Sequence, residues 1–154
     1  MKQPNSNHCF VCGRKNPFGL HLEFYETNPG EVTVEYTVPE QYQGYPGVVH
    51  GGVVAAILDE VAGRTHMGGY PPRFMYTAKL SIKYRKNVPT CQPLRIIGRA
   101  GPSRERTAIS YGQIIGPGGE ILAEAEVVLV NVPEEVVNSV DLEALGWKVD
   151  EKQG

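Results

Sequence analysis

A chain of 154 residues with a net charge of −2, 41% hydrophobic and 21% charged residues has the composition of an ordinary globular protein and room for one substantial core. That charge balance argues against a dedicated nucleic-acid binder. No apolar run reaches membrane-spanning length and the start MKQPNSNHCF lacks the apolar core of a signal peptide, so no membrane partner and a cytoplasmic location are expected.

Residues 1–19 form an amino-terminal arm. Cys9 and Cys12 make a C-x-x-C preceded by His8, but the remaining Cys91 stands alone on a loop. A structural zinc site usually takes four protein ligands, so no metal is expected, and two small, partly buried thiols packing the arm down are the simpler reading. Three cysteines also cannot pair completely, which fits a reducing compartment.

Leu20–Tyr25 and Val32–Val38 read as strands around the turn Asn28-Pro29-Gly30. Gln41–Gly47 is a Gly-, Tyr- and Gln-rich loop leading into Pro46–Met67, PGVVHGGVVAAILDEVAGRTHM, the stretch that organises the chain. His50-Gly51-Gly52 can open a helix whose bare N–H groups attract negative charge. Val53 through Leu58 are apolar on every side, which predicts a buried helix of about four turns, roughly 24 Å long. Glu60 precedes Arg64 by one turn, the favourable order for a solvated salt bridge. Asp59 lies among Ala55, Ala56, Ala62 and Gly63, a face that lets a ligand or another backbone come close; it serves either chemistry or a bond to a neighbouring loop or subunit. His66 in the last turn complements the helix dipole.

Gly68-Gly69-Tyr70-Pro71-Pro72 is a loop. Thr77–Arg85 alternates Ala78, Leu80, Ile82 and Tyr84 against Thr77, Lys79, Ser81, Lys83 and Arg85. Strands at Leu94–Gly101, Arg106–Ile115 and Glu120–Val130 follow, the last two joined by Gly116-Pro117-Gly118-Gly119. In Pro133–Trp147 Asp141 is a cap and Gly146 a stop for short helical pieces. One apolar helix among about six strands implies an α+β fold with an antiparallel sheet curled around the helix, although a different α+β packing fits the pattern too.

HGGVVAAILDEVAG, with an Asp nine residues after the His, resembles the central helix of hotdog-fold acyl-CoA thioesterases of the phenylacetate-degradation (PaaI-like) and acyl-CoA thioesterase superfamily member type. YQGYPGVVHGG before it, TAKLSIKYRKNVPTC after it and EAEVVLVNV are similar to that family too, so the likeness spans roughly Leu20 to Val132. CFVCGRKNPFGLHLEF resembles the lead-in of bacterial members. The resemblance implies a hotdog domain over residues 20–132, a carboxy-terminal helical tail over 133–154, and a homodimer or a homotetramer built as a dimer of dimers. It also implies an active site at the dimer interface, where Asp59 of one subunit faces the Gly51 amide of the other.

The chemistry expected is hydrolysis of an acyl-CoA thioester without a cofactor. The N–H of Gly51 or Gly52 would polarise the thioester carbonyl, and Asp59 would act as general base or as nucleophile. His50 matches the family's histidine and would orient substrate or cap the helix. Thr77 would hold the attacking water or serve the strand. Many relatives carry Asn or Gln six residues before the His; that position is Gly44 here, and Gln43 or Gln41 is the available substitute. Tyr42, Tyr45 and Phe74 are expected pocket walls. Lys83, Arg85 and Lys86, with Arg104 and Arg106 further on, are candidates for the CoA phosphates. Fatty acyl-CoA is the leading substrate class, with an aryl-CoA such as phenylacetyl-CoA, or a non-catalytic acyl-CoA or lipid-binding module, as the alternatives.

Overall fold

The computed structural model describes residues 1–149. Its strands are β1 (Tyr25–Asn28), β2 (Glu31–Thr37), β3 (Met75–Tyr84), β4 (Pro93–Ser103), β5 (Thr107–Ile115) and β6 (Ile121–Asn131). They form one six-stranded sheet in the order β1-β2-β4-β5-β6-β3, every neighbouring pair antiparallel. Helix α1 (Gly51–Gly63) lies across its inner face and α2 (Glu134–Ser139) follows the last strand. No described helix is long and apolar enough to cross a membrane.

What seats α1 is a row of small residues. Gly98 on β4 and Gly112 on β5 are register partners. A Cβ on Gly98 would lie 2.5 Å from the Val61 carbonyl oxygen, and one on Gly112 would lie 3.2 Å from the Leu58 side chain. The helix backbone therefore rests almost directly on the sheet, and Val54, Ile57, Leu58, Val61 and Ala62 are buried beneath it. Each fully buried Val, Leu or Ile contributes about 1.5–3 kcal/mol, so this contact dominates the core.

Three expectations need correction. The helix has 13 residues, about 20 Å, because the chain turns at Arg64 rather than continuing to Met67. It is also not buried on every side: Gly51 and Gly52 are exposed while Val53, Ala55, Ala56 and Asp59 are half-buried, since the sheet covers one side only. Finally, residues 20–24 join no ladder of the sheet, and His21 takes a φ of 57° that interrupts an extended run. The backbone of this stretch pairs with the arm instead, Leu20 N–H with the Phe10 carbonyl, Leu22 N–H with that of Val11, and Gln3 N–H with that of Phe24.

The tail answers to the arm. Asp141 Oδ1 accepts from the N–H groups of Glu143 and Ala144 at 3.0 and 3.2 Å, and Gly146 takes a φ of 67°, as the cap and stop reading expects. Asn5 pairs with Lys148, and the Trp147 ring meets Phe74 edge-on at 5.5 Å. Residues 150–154 of the expected tail lie outside the described residues.

Replacing Gly98 by Ala forces a methyl group against the helix backbone and should cost about 1–3 kcal/mol in urea-induced unfolding. Gly69→Ala, where an added Cβ meets nothing within 4 Å, should leave the midpoint unchanged.

Candidate active site

The helix start is built by its histidine. His50 is the N-cap of α1, and its Nδ1 accepts from the Gly52 N–H at 2.9 Å. That bond fixes the tautomer, since Nδ1 must be unprotonated to accept, and it consumes the Gly52 amide. Of the two glycine amides expected to face a carbonyl, Gly51 N–H is the one left unpaired among the described residues. Tyr84 on β3 pins this glycine from the other side, its hydroxyl donating to the Gly51 carbonyl at 2.7 Å. A largely apolar groove opens here between Tyr45, His50, Gly51, Val54, Tyr84 and Lys86.

Asp59 sits two turns further on, on the open side of α1. The Thr77 hydroxyl donates to its Oδ1 at 2.5 Å. Strict alternation would put Thr77 on the outer face with Lys79 and Ser81, away from the helix. The structure reverses this with a bulge: Thr77 pairs with Leu129 and Lys79 with Val128, leaving Ala78 unmatched. One extra residue flips the phase, so Thr77 joins Leu80, Ile82 and Tyr84 on the helix side.

Other expected residues are placed differently. The side-chain oxygen of Gln43, beside Gly44, accepts from Gly47 N–H at 3.2 Å and holds the loop's own turn. The Tyr42 hydroxyl donates toward the Phe18 and Gly19 carbonyls and ties down the arm, and Tyr42 is not among the residues lining the groove at the helix start. Phe74 is taken by Trp147. Tyr45, 84% exposed, does line the groove. Lys86 lines it too, whereas Lys83 belongs to a separate groove on the sheet's outer face with Arg99 and Tyr111. Arg85 is paired with Glu124 at 2.5 Å, and that hydrogen bond lowers the Glu124 carboxyl below its ordinary range. The three basic residues therefore do not converge. His66 lies beyond the helix and bonds through Nε2 to the Ile109 carbonyl at 2.9 Å, so it fastens the turn to β5.

Glu60 and Arg64 depart furthest from expectation. Their 3.1 Å pair is not solvated: the Arg64 side chain is 3% exposed and that of Glu60 23%. The arm and tail wrap it. Arg64 donates to the Pro4 carbonyl at 2.8 Å, and its guanidinium lies 4.1 Å from the centre of the Phe24 ring and 5.4 Å from that of Trp147. Burial pushes the Glu60 carboxyl up despite the neighbouring guanidinium. Beside it, the hydrogen bond between the two thiols, helped by Arg64, pulls Cys12 down to about 5, and the same bond together with burial pushes Cys9 up.

Residues 46–115 match the family model described as thioesterase superfamily. That stretch holds His50, Gly51, Asp59 and Thr77 together. The matched segment supplies α1, β3, β4 and β5, and the sheet with its helix is the hotdog fold. A crystal structure of a thioesterase superfamily protein is 30% identical, with a TM-score of 0.73, over 80% of this chain and 63% of that one. The acyl-coenzyme A thioesterase THEM4 of Rattus norvegicus is 45% identical over 47 residues, 30% of this chain. The chain spans only 19% of the length of that curated relative. A Streptococcus mutans protein crystallised with acetyl CoA shares the fold, with a TM-score of 0.65 at 21% identity over 72% of this chain and 88% of that one.

Because the His50 ring caps α1, His50→Ala should lower stability by about 1 kcal/mol in thermal unfolding. His50→Asn, which can still accept from the Gly52 amide, should recover most of the loss. Equal losses in both variants would mean that the cap contributes nothing.

Proposed function

We propose that the protein hydrolyses acyl-CoA thioesters to the free acid and CoA. The observation that carries the reading is the Thr77–Asp59 hydrogen bond of 2.5 Å on the open side of α1: a carboxylate held by a hydroxyl, half-exposed in a fold otherwise packed with apolar side chains. Asp59 activates a water molecule or itself attacks the thioester carbonyl, and Thr77 positions the carboxylate and the water. The Gly51 N–H, at the positive end of the helix, receives the carbonyl oxygen as negative charge builds on it; comparable donors are worth about 3–4 kcal/mol of barrier. His50 keeps that amide correctly presented by holding its neighbour. The CoA seen with the streptococcal relative supports this ligand class. Fatty acyl groups are the preferred substrates, since the apolar groove beside Tyr45 and Val54 suits an alkyl chain.

One distance supports a site shared between two copies. Asp59 lies eight residues after Gly51 on the same helix, about 12 Å along its axis. A carbonyl bonded at Gly51 is out of reach of that protomer's own Asp59, so the complete site is made by two protomers. β3 is the edge through which they meet. The opposite edge, β1, is covered by Met1 and Lys2, whereas β3 ends the sheet as a ten-residue strand, and an edge of that length seeks a partner.

Thiol release from a panel of acyl-CoAs of graded chain length plus phenylacetyl-CoA should be fastest with a fatty acyl group. It should fall by about a hundredfold or more in Asp59→Asn and by about tenfold in Thr77→Val. Ligand-induced stabilisation without thiol release would instead point to a binding module.

Gly51→Pro removes the donor at a position where proline is tolerated, the His50 ψ of 134° being compatible with a following proline. Asp59→Asn and Gly51→Pro should each be inactive alone. Mixed after dissociation, they should regain activity, because each heterodimer holds one intact site. No recovery from heterodimers shown to form would exclude the shared site.

A further inference from the structure

We propose that Cys9, Cys12 and Glu60 form a binding site for a zinc-like divalent cation that fastens the arm to the back of α1. This site is separate from the Asp59 site and does not depend on the reaction proposed there.

Two sulfurs from the arm and a carboxylate oxygen from the helix lie within 4.8 Å of one another, with Cys9 Sγ 4.0 Å from Glu60 Oε1. Zinc bonds of about 2.3 Å to sulfur and 2.0–2.2 Å to carboxylate oxygen give tetrahedral donor separations of roughly 3.5–3.8 Å. The cluster needs only a small contraction to reach them. The three side chains supply three ligands and leave the fourth position to water.

Each sulfur faces a hydrogen-bonding group as well as apolar neighbours. Val11 N–H points at Cys9 Sγ at 3.4 Å, and the Ser6 hydroxyl lies 3.7 Å from Cys12 Sγ. Gly13 N–H closes the turn onto the Cys9 carbonyl at 2.8 Å. A Cβ at Gly13 would lie 2.3 Å from that carbonyl oxygen, so a glycine after the second cysteine is what lets the turn curl both sulfurs to one side. Charge balances as well: two thiolates and a carboxylate leave one negative charge on a bound divalent cation, and the Arg64 guanidinium, 3.1 Å from Glu60, neutralises it.

The sequence expectation of no metal rested on the want of further ligands near the C-x-x-C. Glu60 stands 51 residues from Cys9 and comes to it only because the arm folds over α1.

The test loads the full-length, reduced and demetallated protein with Zn2+ or Co2+ and counts bound metal after gel filtration. One ion per chain is expected. The Co2+ form should show sulfur-to-cobalt charge-transfer absorption in the near ultraviolet, lost in Cys9→Ser and in Cys12→Ser. Glu60→Gln should keep that absorption while weakening Zn2+ binding at least tenfold. Should a variant fail to fold, alkylation of the unaltered chain decides: Zn2+ should slow modification of Cys9 and Cys12 at least tenfold but leave the exposed Cys91 unaffected. Stoichiometry near zero, charge transfer that survives both serine variants, equal protection of all three thiols, or a Cys9–Cys12 disulfide forming in place of metal uptake would each overturn the proposal.

Discussion

The close approach of α1 to the sheet at Gly98 and Gly112 is the contact on which the rest of the structure depends. With no side chain at either position, Leu58 and Val61 settle onto β4 and β5, and the rotation of the helix about its axis is then fixed. Everything on the helix inherits its direction from that rotation. Ile57, Leu58, Val61 and Ala62 point into the sheet, Asp59 points out toward β3, and Glu60 points sideways to the arm.

The two acids consequently live in different chemical worlds although they are adjacent in sequence. Asp59 meets a hydroxyl on the open side of the helix. Glu60 is enclosed with a guanidinium and two thiols beneath the arm. Enclosing a charged pair costs desolvation that only several hydrogen bonds and a compensating neighbour can offset. Arg64 obtains them from Glu60, the Pro4 carbonyl and the Phe24 ring. The arm and tail thus complete the fold on the side of α1 that the sheet leaves bare, while the side bearing Asp59 stays open.

One side of the helix is closed by the chain's own termini, and the other, flanked by the β3 edge, stays open. The histidine cap contributes locally. By occupying the Gly52 amide it leaves Gly51 as the glycine amide without a partner at the helix start, among the described residues.

Much of this was legible in the residues. Apolar runs, turn glycines and the alternation of β-branched side chains determined five of the six strands and the central helix, because burial periodicity is a local property of the chain. His50 beside two glycines marked the helix start, and the spacing to Asp59 marked the polar group on its open face. Only the tertiary structure decided the rest. The bulge at Ala78 turned Thr77 toward Asp59 against the alternation, since register depends on the partner strand. Arg85 was claimed by Glu124 from β6, and Phe74 by Trp147 from the tail. Glu60, read locally as half of a solvated pair, was covered by an arm more than fifty residues away. Spacing along a chain determines which side chains share a face of their own element; which foreign side chain meets that face depends on long-range packing, to which local pattern is blind.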